Sequence, residues 1–260
     1  FPYTTLFRSA VERIETVAGA SSLYGAGATG GTINVITRRP TEGPPVFTLN
    51  TALRAFPENI GRSLSPELSL GVTGRTRAGF DYVVVGTGRH VGRTYDGLGR
   101  ELPSDALLGQ GGLDRTDSGN LFAKFGYDFD AARRFEVSAT VLRLEQNPDF
   151  LTLYSPPRAR PDFNTPYQGR SVREASQSFS ARYTDTSFAL GALSVVGFVN
   201  DIEKRFNFTT FSFPYNSLVY YSGNPASPTS PNNQTTLYST RYGLNLTIDT
   251  PLDVVLGGAR

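Results

Sequence analysis

Beyond residue 46, apolar residues recur at every second position, the period of a β-strand whose two faces meet different surroundings. Phe47, Leu49 and Leu53 alternate with Thr48, Asn50 and Ala52, and Leu68, Leu70 and Val72 with Glu67, Ser69 and Thr73. Phe80, Tyr82 and Val84 form a third apolar row, blurred by Val83 and Val85 in the opposite one. Leu121, Ala123, Phe125, Tyr127 and Phe129 oppose Asn120, Lys124, Gly126 and Asp128. Phe135, Val137, Ala139 and Val141 oppose Glu136, Ser138 and Thr140, and Phe179, Ala181 and Tyr183 oppose Ser178, Ser180 and Arg182. The segment from Phe188 to Val199 is apolar on both faces, so its register stays open. Tyr238, Tyr242, Leu244, Leu246 and Ile248 against Ser239, Arg241, Asn245, Thr247 and Asp249 give the cleanest alternation, and a further strand is expected to begin at Leu252.

The connections between these rows alternate in length. Short turns are expected near Gly74 to Gly79, Asp128 to Arg134, Thr184 to Ser187 and Asp249 to Leu252. Long loops are expected near Tyr95 to Ser118, Gln146 to Arg173 and Lys204 to Thr236, with a shorter one near Phe56 to Ser65. Short turns at one end and long loops at the other are the habit of an outer-membrane barrel, whereas a soluble sandwich has no reason to send every second connection to one side. The predicted fold class is therefore all-β, an antiparallel transmembrane β-barrel seen in part. It amounts to about eight or nine strands of the roughly 22 that a plugged barrel needs. Apolar rows then face lipid and polar rows face the lumen, since an arginine on the lipid face would cost roughly 2 to 4 kcal/mol at the midplane.

Composition narrows the classes further. Hydrophobic residues make up 38% of the 260, and no run approaches the roughly 18 apolar residues of a membrane helix. The 18 Phe and 13 Tyr supply interfacial girdles, although they would serve a soluble β-core equally well. Net charge is only +2, and the arginines are spread along the chain rather than gathered on one face, which excludes a nucleic-acid partner; Lys124 and Lys204 are the only lysines. The absence of Cys removes disulfides and thiolate chemistry. The absence of Met and of a leader is expected of a processed form or a fragment. Residues Phe1 to Ser9, FPYTTLFRS, resemble the translation of a common sequencing adapter and are set aside from fold and function reasoning.

The segment from Val11 to Pro40 carries a more specific signal. Val11-Glu12-Arg13-Ile14-Glu15, Ser21-Ser22-Leu23-Tyr24-Gly25, Gly30-Gly31 and Ile33-Asn34-Val35-Ile36-Thr37 before Arg38-Arg39-Pro40 stand at fixed offsets. Together they resemble the C-terminal end of the plug domain of TonB-dependent outer-membrane receptors of the siderophore-receptor type. Arg13, Glu15, Tyr24, Gly25, Gly30, Gly31 and Asn34 carry that motif, as structural positions. The resemblance implies residues 10–39 as plug, 40–45 as the Pro/Gly-rich linker and 46–260 as the first part of the barrel. Gly25-Ala26-Gly27-Ala28-Thr29-Gly30 also satisfies a G-x-G-x-x-G pattern. A dinucleotide site needs a helix to open there and a carboxylate about 20 residues on, whereas the glycines lead into a β-branched segment and Asn50 stands where the acid should be.

One departure from the family is visible. Where many such plugs carry Arg-Gly-Pro, with an arginine that pairs with barrel carboxylates, this chain has Ala18-Gly19-Ala20, and Arg13 is the available substitute charge.

No catalytic constellation stands out and no enzyme activity is expected. His90 is the sole histidine, which rules out a two-histidine metal site within the chain, and Asp114/Asp117 and Asp201/Glu203 read as solvated loop carboxylates ahead of a cation site. The long loops hold Tyr154, Arg158, Arg160, Tyr167, Phe208, Phe211 and Tyr215, side-chain types that meet an anionic aromatic chelate by stacking and charge pairing and that also serve loop-to-loop packing.

The resemblance implies an active importer in the outer membrane of a Gram-negative bacterium, most commonly of a ferric siderophore. It implies the TonB energy-transducing complex as partner through a segment N-terminal to the plug, the outer-membrane lipid, a small-molecule metal chelate as substrate, and no cofactor. The rivals are a passive barrel or adhesin acting through its long loops, which would need no plug, and a soluble carbohydrate-binding β-protein.

Overall fold

The computed structural model describes residues 11–18, 31–37, 40, 42–104, 114–155, 158–167, 169–206, 209–212, 218–221 and 234–251. Two strands come first, β1 (Val11–Ala18) and β2 (Gly31–Thr37), paired antiparallel with Glu15 opposite Asn34 and Ala18 opposite Gly31. Then comes an eight-stranded antiparallel sheet of β3 (Gly43–Arg54), β4 (Ser65–Arg75), β5 (Phe80–Val91), β6 (Thr116–Asp128) and β7 (Arg133–Gln146), continued by β10 (Val172–Asp185), β11 (Ala192–Arg205) and β14 (Thr236–Asp249). Within this sheet each strand pairs with the sheet strands that precede and follow it in the chain, so β7 meets β10 and β11 meets β14, and β3 and β14 are the edges of this open sheet. Two small hairpins sit inside the long connections, β8 (Phe150–Ser155) with β9 (Arg158–Pro166) and β12 (Thr209–Ser212) with β13 (Leu218–Tyr221).

The connections fall at alternate ends as the loop lengths predict. Residues 76–79, 129–132 and 186–191 make the short turns, and residues 55–64, 92–115, 147–171 and 206–235 the long ones. Gly79 holds φ +83° in the first turn, where an added Cβ would stand 2.8 Å from the Asp128 carbonyl, so a side chain is excluded on two counts. The second turn is closed by Asp130, whose carboxylate accepts the Ala132 and Arg133 N–H groups at 2.9 and 2.8 Å.

The structure corrects several boundaries. β10 continues to Asp185 and β11 starts at Ala192, so Phe188 belongs to a turn and not to a strand. β3 begins at Gly43, inside the expected linker; Pro44 and Pro45 fall in the irregular stretch between the Gly43 and Val46 pairings, where no ladder donor is needed. The two longest loops are partly strand. The strand expected from Leu252 lies outside the described residues.

The two faces of the sheet differ in chemistry. On one face Phe47, Leu49, Leu68, Leu70, Leu121, Phe179, Tyr242 and Leu244 remain exposed, Phe47 and Tyr242 at 79% and 81%, which is tolerable only against lipid. The opposite, inner face carries Ser69, Asp81, Thr87, Asn120 and Lys124, all buried. Val83 and Val85 also face inward, where they pack with Phe122 as a small apolar cluster; this is why the alternation of β5 is blurred. Glycines seat aromatics across strands: Tyr82 lies over Gly74, where a Cβ would meet its hydroxyl at 2.5 Å, and Phe198 lies over Gly243.

Candidate functional site

Near the short-turn end, the inner face of β4 to β7 holds six charged groups in mutual contact. Register puts Arg75 opposite Asp81 and Asp128 opposite Arg134, so opposite charges meet across adjacent strands. Arg134 donates through both terminal nitrogens to Asp81, at 2.7 and 3.0 Å, and reaches Asp128 at 2.9 Å and Glu136 at 3.2 Å. Arg75 donates to Asp128 at 2.5 Å and to Asp81 at 3.4 Å. Asp81 is 1% exposed, so its charge is sustained by these two guanidinium groups and not by water. Gly126 makes room for the network, because a Cβ there would run into the Arg134 guanidinium and stand 2.8 Å from Asp81 Oδ1.

This network reaches the β1–β2 hairpin through one side chain. Lys124, 3% exposed, lies 3.9 Å from Glu136 and donates from Nζ to Thr37 Oγ1 of β2 at 2.7 Å. This polar contact between hairpin and wall runs from a barrel lysine to a hydroxyl, the reverse of the arginine-to-carboxylate pairing that the resemblance implies. Arg13, the expected substitute, pairs instead with Glu15 at 2.7 Å and Glu12 at 3.2 Å on its own strand and is exposed. Among the described residues it has no ion pair with the barrel.

At the opposite end, the bases of the long loops are joined in sequence. Gly92 N–H donates to Ser65 Oγ at 3.0 Å and Arg93 N–H to the Arg62 carbonyl at 2.8 Å, tying the first loop to the second. Arg93 and Arg115 both donate to Asp149 Oδ2, Arg93 also grips Glu101 at 3.0 and 2.8 Å, and Arg115 Nε reaches the Asn147 carbonyl at 2.7 Å. These bonds tie the second loop to the third. Arg115 holds φ +52°, a conformation that L residues rarely adopt, at this junction. Beneath it, Asp114 accepts from Ser104 Oγ at 2.7 Å and Gln146 Nε2 at 3.0 Å, and burial pushes its carboxyl up from the ordinary range.

Gln234 joins the third loop to the fourth. Its amide nitrogen, with two protons to share, lies 2.9 Å from the Tyr167 hydroxyl, 2.8 Å from the Arg170 carbonyl and 3.1 Å from the Phe206 carbonyl, and its oxygen accepts the Arg170 N–H at 2.7 Å. The Tyr167 hydroxyl donates a hydrogen bond to the Arg170 carbonyl at 2.9 Å, and burial raises its phenol above the usual range. Tyr167 thus has a structural use at the loop base.

The other expected positions scatter. Arg160 is exposed on β9, while Tyr154 and Arg158 belong to the β8–β9 hairpin, with Tyr154 opposite Ala159 and Arg158 opposite Ser155. Phe211 stands opposite Val219 in the β12–β13 hairpin. Tyr24, Gly25, Gly30, Phe208 and Tyr215 lie outside the described residues. Gly31 opens β2 with φ +128°, and Asn34 is centrally paired with Glu15. Asp114 and Asp117 do not converge: Asp117 meets His90 Nδ1 at 2.7 Å on the outer face. Asp201 accepts from Thr240 at 2.7 Å, whereas Glu203 pairs with arginines. Among the described residues no cluster of three or more metal-ligating side chains exists. Lys124, Arg134, Asp149 and Gln234 were not singled out from sequence; only the opposed charges at the ends of the polar rows signalled the first two.

No family model matches the chain. The rhizobactin receptor of Rhizobium meliloti is 27% identical over 146 residues, 56% of this chain and 19% of the receptor. The ferric enterobactin receptor of Pseudomonas aeruginosa superposes over 91% of this chain and 33% of its own, with a TM-score of 0.55 and 17% identity. A siderophore receptor of Acinetobacter baumannii superposes over 76% of this chain and 27% of its own, with a TM-score of 0.51 and 15% identity. The chain has the fold of a TonB-dependent outer-membrane receptor. Its location is the outer membrane, and its open eight-stranded sheet corresponds to part of such a receptor's barrel. The chain spans about a fifth of the curated relative and a third of the first solved structure.

Proposed function

We propose that this chain is part of an active importer, a TonB-dependent receptor that takes up a ferric siderophore through the outer membrane. The observation that carries the reading is the β1–β2 hairpin held to the inner wall through Lys124 and Thr37, because a barrel that conducts passively has no use for a hairpin anchored inside it. Support comes from the likeness to a rhizobactin receptor in sequence and to a ferric enterobactin receptor in fold. Residues 10–39 serve as the end of the plug and residues 46–260 as the first part of the barrel. Substrate meets the extracellular loops, where Arg158, Arg160 and the aromatic residues of the hairpins supply charge and stacking. Energy comes from the inner-membrane TonB complex, which acts on the plug.

The test is uptake of radiolabelled ferric siderophores by the full-length receptor in an iron-starved host lacking its own receptors. Import that stops when an uncoupler collapses the proton gradient is expected. Import that persists with the uncoupler would favour a passive barrel, and no import of any ferric chelate would overturn the substrate class.

A further inference from the structure

The second long loop is fastened through a buried acid. Residues 94–102 fold back on themselves: Leu102 N–H donates to the Thr94 carbonyl at 2.9 Å, Tyr95 is bridged to Glu101, and Asp96 N–H donates to the Arg100 carbonyl at 2.9 Å. Tyr95, itself buried, packs edge-on against Phe56 of the first loop. This small hairpin leads to Ser104, whose hydroxyl donates to Asp114 Oδ2 at 2.7 Å. Gln146 Nε2, at the end of β7, lies 3.0 Å from Asp114 Oδ1. Asp114 therefore joins the hairpin to the wall where β6 begins and β7 ends.

Asp114 is 3% exposed, and among the described residues it has no ion pair. The charged groups on the segments around it are committed elsewhere. Arg115, the next residue, donates to Asp149 and to the Asn147 carbonyl, and Arg93 donates to Glu101 and Asp149. His90 pairs with Asp117, and Glu145 with Arg143, on the outer face. An ionised Asp114 is thus shut away from water with two neutral donors and no counter-ion, which costs more than the two hydrogen bonds return. Burial accordingly pushes its carboxyl up, against the pull of those donors and of Arg115. The protonated acid keeps both contacts, since it can donate to the Ser104 oxygen and still accept from Gln146.

We propose that Asp114 is a pH-sensitive latch on the second long loop. With its proton in place, the carboxyl holds the 94–102 hairpin to the wall; once ionised, it is drawn toward water and the hairpin comes away with it. Acid therefore closes the latch. The loop's ion pairs respond in the opposite direction, because Glu101 and Asp149 lose their hold on Arg93 only as they take up protons, near about pH 4. On acidification from neutral pH the tightening comes first. The latch needs no substrate to operate, so its failure and that of the import reading are distinguishable.

The test attaches a nitroxide at Leu98→Cys, 75% exposed at the tip of the hairpin, as the sole cysteine of the full-length receptor in lipid. Electron paramagnetic resonance then follows its mobility as pH falls from neutral. The ratio of immobile to mobile label is expected to rise up to about tenfold per pH unit between the folded Asp114 value and about 3.9. Asp114→Asn mimics the protonated acid, so the label is expected to be immobile from the start and the rise to vanish. Glu101→Gln is expected to keep the rise. Mobility that does not change with pH in the wild type overturns the proposal, as does a rise that survives in Asp114→Asn or disappears in Glu101→Gln. Ser104→Ala cuts the carboxyl from the hairpin and is expected to leave the label mobile without any rise, which keeps the test decisive if Asp114→Asn does not fold.

Discussion

The charge network on the inner wall makes a quantitative demand. Arg134→Ala leaves Asp81, whose side chain is 2% exposed, with only Arg75 at 3.4 Å. Removing one member of a buried pair costs about 3 to 5 kcal/mol because the other charge is stranded. Arg75 remains to share the load, so about 3 kcal/mol is expected, at the low end of that range. Asp81→Ala should cost less, about 2 kcal/mol, since Arg134 still has Asp128 at 2.9 Å and Glu136 at 3.2 Å. The double variant strands neither partner and should cost about 2 kcal/mol less than the sum of the two. Arg134→Lys retains the charge without the fork and should fall between wild type and alanine. Guanidinium unfolding of the full-length protein in lipid, read by loss of heat-resistant migration, measures each value. Additivity within about 0.5 kcal/mol would refute the reasoning, because residues that share one network cannot act independently.

Three further outcomes follow from the same geometry. Gly126→Val should cost at least as much as Arg134→Ala, since any side chain there displaces the guanidinium from Asp81; folded yield equal to wild type would show that Arg134 has another resting place. Asp114 has its folded value raised by burial above the unfolded value of about 3.9, so the native state holds the proton more tightly and stability is lost as pH rises through the carboxylate range. Hydrogen-exchange protection of the described residues 92–104 should therefore increase on acidification in the wild type and become pH-independent in Asp114→Asn. Asp149→Ala removes the acceptor shared by Arg93 and Arg115, and limited proteolysis should then cut the second and third long loops faster, with the sheet resistant as before.

Much of the barrel was legible in the sequence because its signal is local. Lipid on one side and a polar lumen on the other impose a two-residue period, and Tyr242 to Ile248 display it without interruption. Where both sides are apolar the period fails, as with Val83 and Val85 on β5, and between Phe188 and Val199, where Phe198 faces inward over Gly243. The site was less legible because its bonds join residues far apart in the chain. Lys124 and Thr37 are separated by 87 positions, Gln234 and Tyr167 by 67, and nothing local to any of them marks the partner.

The two ends of the sheet are cross-linked differently, and the difference bears on how the β1–β2 hairpin is held. At the short-turn end, charges buried on the inner wall cross-link four strands, and separating them means stranding a charge away from water. At the long-loop end, the links are mostly hydrogen bonds and ion pairs between loop bases, the side chains of the Arg93, Glu101, Arg115 and Asp149 pairs 16% to 33% exposed and none of those carboxylates as buried as Asp81. Lys124 meets the hairpin at a neutral acceptor, the Thr37 hydroxyl, and has Glu136 3.9 Å away on the wall. Withdrawing the hairpin therefore does not strand a buried cation, whereas withdrawing a plug-borne arginine from barrel carboxylates strands them. A contact donated by the wall leaves the wall with its charges balanced, three positive groups against three negative, whether or not the hairpin is in place.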